Sequence, residues 1–244
     1  LRTDARNCFY PFLVKNEKHE LDYNLDLVQA LPGITSGASA GAVGPRITPD
    51  HEALRRVGVF TDRLGRFVVV HPGMGGSALN WPEQYFAEVV AKVAAMGTSV
   101  VISGSDQEKE LLERVGTLAK EQLRSPDAES RIHFFTGHLT TESLEDLIAL
   151  LSKASVMVAP STGPLHLAAA VGSRTVSFYP LIRVQSAKRW GPRDASMKND
   201  SEHHIVLSPE TASETGNVSD LASMAAISVD LAMKNIVSHL RTFD

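Results

Sequence analysis

A single cysteine, Cys8, stands in 244 residues, so one chain can build neither a disulfide framework nor a cysteine-based zinc site. Charge of a dominant sign is also missing. The 24 basic and 28 acidic residues give a net charge of −4, which provides no global attraction for nucleic acid. No apolar run approaches the roughly 18 residues of a membrane-spanning helix, and no signal-peptide pattern is present. A soluble globular protein in a reducing compartment is expected. There is no Walker lysine and no G-x-G-x-x-G spacing, so a P-loop or a nicotinamide fingerprint is a poor match. Adjacent His203 and His204 point to opposite faces if they lie on a strand, and no metal site is assigned. The chain starts at Leu1 rather than Met, which leads us to expect that an amino-terminal portion is missing.

What is present is an alternation of short apolar runs and helical patterns. Strands are predicted at Phe67–Val70, Ser99–Ile102, Ile132–Phe135, Val156–Ala159 and Thr175–Phe178. Between them, Phe86, Val89, Val90, Val93 and Ala94 recur at helical spacing, as do Leu111, Leu112, Val115 and Leu118. Asn80 is a candidate cap for the first of these helices and Gly97 its stop. Parallel neighbours need crossover connections, so five strands alternating with helices predict a Rossmann-like α/β parallel sheet with helices on both faces. Asp22–Leu31 reads as a helix and Gly33–Gly44 as a linker rich in Gly, Ala and Ser. The tail Ser201–Asn217 reads as polar and irregular, and Ser228 caps a helix bearing Leu231, Ile236 and Leu240. The corresponding organisation is residues 1–60 as the end of an amino-terminal domain and linker, 61–217 as a nucleotide-binding domain, and 218–244 as a carboxyl-terminal helical segment.

Two strand-to-helix loops carry the chemistry. Ser161-Thr162-Gly163-Pro164-Leu165-His166 follows an apolar strand and opens an Ala-rich helix; Thr162 or Gly163 can cap it, Pro164 suits its first turn, and Gly172 can end it. Free amides and a dipole of about half a positive charge then make a site for phosphate. The loop 71–82, with Gly73, Gly75, Gly76 and Ser77, allows close backbone approach and adds a hydroxyl, so a diphosphate fits between the two loops. An ordinary tight turn is the alternative for either loop alone. Glu108, after the second strand, is a candidate for hydrogen bonds from ribose hydroxyls, or else part of a solvated first helical turn. His166 is a phosphate donor or a packing residue, and Asn80, Lys188, Arg189 and Arg193 are possible phosphate contacts or, for the last three, an exposed basic turn.

In order along the chain, His71-Pro72-Gly73, Gly76-Ser77-Ala78, Asn80-Trp81-Pro82, Ser103-Gly104 with Glu108, Thr136-Gly137, Leu144-Glu145-Asp146-Leu147, Ser161–His166 and Arg189-Trp190-Gly191-Pro192 match landmarks of one family. The chain resembles the later two-thirds of a family 9 glycosyltransferase, the group that includes ADP-heptose:lipopolysaccharide heptosyltransferases. The match covers residues 61–240, and 18–31 resembles the close of the family's amino-terminal half. This resemblance implies a GT-B architecture of two Rossmann-like domains, with the donor held by the carboxyl-terminal one. It also implies a nucleotide-sugar donor such as ADP-heptose, a lipopolysaccharide or related glycan acceptor, no metal or other cofactor, and a catalytic base in the missing domain. It places the work in the cytoplasm at the inner face of the inner membrane, with peripheral membrane association through the acceptor. Relatives typically carry an acid where this chain has Ser161 and a basic residue at the Leu79-Asn80 position, which loosens the claim for heptose. A non-catalytic nucleotide-sugar-binding or assembly protein of the same fold is the alternative.

Overall fold

The computed structural model describes residues 18–29, 44–76, 78–137, 141–194, 202–209 and 224–241. Six parallel strands, β1 (Phe67–Val70), β2 (Ser99–Ser105), β3 (Ile132–Gly137), β4 (Val156–Pro160), β5 (Arg174–Phe178) and β6 (His204–Leu207), form one sheet in the order β3-β2-β1-β4-β5-β6. The chain therefore runs outward from β1 on one side, returns to β4 beside β1, and runs outward on the other. That reversal is the Rossmann-like switch point, and it lies between β1 and β4.

Helices cover both faces because the strands are apolar on both. Val68 and Val70 of β1 point into one core, shared with α3 (Glu83–Ala95), α4 (Lys109–Glu121) and α9 (Val229–Arg241). Phe67 and Val69, one residue out of phase, point into the other core, with α2 (His51–Thr61), α6 (Thr141–Lys153) and α7 (Gly163–Ala170). Among the described residues there are also three shorter or peripheral helices, α1 (Glu20–Gln29), α5 (Pro126–Glu129) and α8 (Ala187–Trp190). Among the described residues no helix is long and apolar enough to cross a membrane.

The structure corrects several expectations. There are six strands rather than five: Ile205-Val206-Leu207, inside the tail read as irregular, pairs with β5, and the buried polar His204 at its start had hidden the pattern. The boundary expected at residue 60 falls inside α2, whose Asp50 cap accepts from the Ala53 amide at 3.0 Å and whose Ala53 and Val57 are buried in the sheet's own core. Likewise α9 packs its Ala232, Ile236 and Leu240 on this sheet, while Leu231, expected on the buried face, is exposed. Ser228 does receive the Leu231 amide, at 3.2 Å. Helix α1 starts at Glu20 rather than Asp22 and is described to Gln29; residues 30 and 31 of the expected helix, and the Gly33–Gly44 linker apart from residue 44, lie outside the described residues.

Candidate functional site at the switch point

Adjacent parallel strands send their following loops out at the same end of the sheet. Val70 pairs with Val158, and the His71 amide continues the ladder to Val158 O at 2.9 Å, so residues 71–82 and 161–166 leave side by side. The β4 loop enters α7 with Thr162 as an extended N-cap that makes no side-chain capping bond, Gly163 and Pro164 in the first turn, and the Leu165 amide bonded to Thr162 O at 3.2 Å. Gly163 is exposed, a Cβ placed on it would meet nothing within 4 Å, and its φ is not in the left-handed region. Neither packing nor backbone geometry in this chain demands glycine there.

In the β1 loop Gly75 and Gly76 have φ of 60° and 74°, a backbone path that favours glycine, and both are exposed. Ser77 lies outside the described residues. Asn80 does not cap α3, whose N-cap is Pro82; its Nδ2 donates to Pro72 O at 2.7 Å and its Oδ1 accepts from the Trp81 amide at 2.8 Å, which closes the loop. Trp81 anchors that loop in the core. It stacks on Phe178 with ring centroids 4.0 Å apart, meets Phe86 edge-on at 5.0 Å, and donates from Nε1 to Ile227 O at 2.9 Å.

Glu108 stands beside the β1 loop. Its Oε2 accepts from the amide and hydroxyl of Ser105, both at 2.9 Å, and a Cβ on Gly73 would lie 1.9 Å from its Oε1. Glycine at 73 is thus what lets the carboxylate reach the loop. Beneath it, buried His71 meets Ser103 Oγ at 3.1 Å through Nδ1; burial pushes its pKa down to about 4 against the opposing pull of the Glu108 carboxylate. His166, in the first turn of α7, is also lowered to about 4, by burial first and by His19 second, which favours the neutral imidazole.

The basic residues after β5 are placed differently from the reading that gave them to phosphate. Arg189 Nε and Nη2 both reach Glu20 Oε2 at 3.0 Å, and Arg193 makes a two-pronged pair with Asp22 at 3.0 and 3.2 Å. Both arginines point to α1, while Lys188 is exposed, as is Arg183 earlier in the same loop. No local pattern announces these pairs, because the partners are about 170 positions apart. Sequence reasoning also missed Gln185, whose Oε1 accepts from the Leu79 amide at 3.2 Å and ties the β5 and β1 loops together, and Tyr179, whose phenol donates to Trp190 O at 2.5 Å.

Comparisons with known proteins bear on this arrangement. A Haemophilus influenzae protein, named only provisionally as a glycosyltransferase, is 27% identical over 93% of this chain and 62% of its own length. The family 9 glycosyl transferase of Veillonella parvula superposes with a TM-score of 0.65 at 18% identity, covering 92% of this chain and 60% of the other. The E. coli heptosyltransferase WaaC, solved with ADP, gives 0.58 at 15% identity over 91% and 57%. At such identities the structures speak to the fold alone, an α/β fold shared with GT-B glycosyltransferases. The chain spans about six tenths of the length of these relatives. Residues 13–215 match the sequence model of glycosyltransferase family 9 (heptosyltransferase), and this chain belongs to that family.

Proposed function

We propose that this chain is the donor-binding part of a glycosyltransferase that moves a sugar, heptose from an ADP-activated donor, onto a lipopolysaccharide core or related glycan. The observation that carries the reading is Gly163: a glycine that neither φ nor neighbours require, at the first turn of α7, facing open space beside the Gly75-Gly76 turn. A ligand that must approach the backbone there accounts for it. In this reading the diphosphate lies against Gly75, Gly76, Ser161, Thr162, Gly163 and the first turn of α7, with His166 donating as a neutral imidazole. Ser77 completes the set. Glu108, held by Ser105 next to Gly73, takes the ribose hydroxyls.

The acceptor hydroxyl attacks the anomeric carbon as the bond to the diphosphate oxygen breaks, and two electrons leave with the diphosphate. That charge grows in the transition state, so donors already aimed at it lower the barrier. One such donor in a water-excluded site is worth roughly 2.7–4 kcal/mol, against about 0.3–1 kcal/mol for an exposed helix dipole. A closed crevice is therefore part of the reading. The amides serve in place of a divalent cation, and the acceptor's proton passes to a base on the other wall, outside this chain. The ADP held by WaaC supports adenine as the base.

Calorimetric titration of the 244-residue chain with ADP, UDP and GDP tests the assignment. We expect ADP to bind at least tenfold more tightly than the other two, with no change on adding a chelator. Equal or undetectable binding of all three by folded protein overturns the donor site, and loss of ADP binding on chelation overturns the metal-free reading.

A further inference from the structure

Helix α1 and the His19 that precedes it make three polar contacts with one target, the stretch 189–193. Arg189 pairs with Glu20 and Arg193 with Asp22, with side-chain exposures of 19% and 14% in the first pair, low enough for the attraction to escape much of the screening by water. The third contact is His19. Its Nδ1 accepts from the Leu21 amide at 3.2 Å, which fixes the proton on Nε2, and Nε2 donates to Gly191 O at 2.8 Å. The Gly191 amide donates to Ala187 O at 2.7 Å, and a Cβ at 191 would lie 2.6 Å from that oxygen, so the position takes no side chain.

From this stretch the contacts continue inward. Trp190 O receives the phenol of Tyr179, and Tyr179 is buried in the same core as Leu165 and Ala168 of α7. The helix that opens with Gly163 also meets the amino-terminal side, by one electrostatic influence and one hydrogen bond. His19 lies within electrostatic reach of His166, and the Ile47 amide donates to Ala170 O at 2.9 Å at the helix's other end.

We infer that α1 is a positioning clamp for the phosphate loop: Glu20, Asp22 and His19 hold the 189–193 stretch, and through Trp190 and Tyr179 it sets the first turn of α7 where a nucleotide diphosphate is to bind. These are positioning residues that touch no donor atom. The inference rests on the donor-site reading for its purpose, while the coupling itself can be measured without nucleotide.

The experiment compares the 244-residue chain with its Glu20→Gln/Asp22→Asn variant by amide hydrogen exchange and by titration with ADP. Exchange should quicken at least tenfold in residues 163–170 and 187–193 and stay unchanged in β1, and the ADP dissociation constant should rise at least fivefold. The exchanged pairs Glu20→Arg/Arg189→Glu and Asp22→Arg/Arg193→Asp, made together, should restore wild-type exchange in both segments. Unchanged exchange at 163–170, equal quickening in β1, tighter ADP binding, or failure of the swapped pairs to restore wild-type exchange would each overturn the clamp. If the wild-type chain binds no ADP, the donor-site reading fails, and the exchange result still decides the coupling.

Discussion

The two ends of the sheet differ in how fully the chain's own path explains their glycines: Gly75 and Gly76 of the β1 loop sit at positive φ like those of the amino end, and Gly163 is the exception. At the amino ends of the strands, Gly97 (φ 85°) stops α3 before β2 and Gly172 (φ 90°) stops α7 before β5. Both occupy the left-handed region that side chains avoid, so the chain's own path explains them. At the carboxyl ends, Gly163 has no such φ and no close neighbour. A glycine the fold needs and a glycine the fold does not need are distinguishable in one chain, and the second kind marks where something else has to fit. The carboxyl end is not uniform, however. Trp81, in the neighbouring β1 loop, is buried in the core.

The largest test of that distinction removes Trp81. Trp81→Ala vacates a stacked, fully buried site and should cost about 3–5 kcal/mol in denaturant unfolding. A variant that keeps its unfolding midpoint and loses only nucleotide affinity would show that the loop is built for ligand alone. Next in size is a paired experiment on the glycines. Gly172→Val forces a branched side chain to positive φ and should lower stability by about 1–2 kcal/mol while leaving ADP affinity within twofold. Gly163→Val should do the reverse, weakening ADP at least tenfold, about 1.4 kcal/mol, with an unchanged melting temperature. If both variants lose stability equally, the contrast between the two ends collapses.

Much of this layout was legible because it is written in local pattern. Strands β1 and β4 and helices α3 and α7 declare themselves through apolar spacing, Pro164 and Gly172, and the two loops follow from where the strands end. Strand β6 escaped because its first residue is a buried histidine rather than an apolar one. The roles of Arg189 and Arg193 escaped for a different reason: their partners Glu20 and Asp22 look, in sequence, like an ordinary acidic first turn. Complementary charge across 170 residues has no local signature. Asn80 was legible as a loop residue, but its bond to Pro72 O, rather than to an α3 amide, depends on a turn whose closure only coordinates display.

The smallest effect concerns protons and separates the two ends once more. His166, at the carboxyl end, and His239, on α9 beside Arg174 at the start of β5, are both held down to about 4, mainly by burial; His19 lowers the first, while Arg174, His203 and His204 lower the second against a Thr175 backbone bond. A folded-state pKa below the unfolded value of 6.5 means that the unfolded chain binds the extra proton first. Stability from each is therefore full above about pH 6.5 and is lost as pH falls toward 4. A diphosphate seated on α7 brings negative charge to His166 but not to His239. It should raise the His166 pKa by at least one unit, about 1.4 kcal/mol, so that ADP binds more tightly as pH falls through that raised value. Histidine ring resonances followed from pH 7 to 4, with and without ADP, read both groups in one sample. Movement of His239 with His166, or of neither, would mean that the nucleotide's charge does not lie at the first turn of α7.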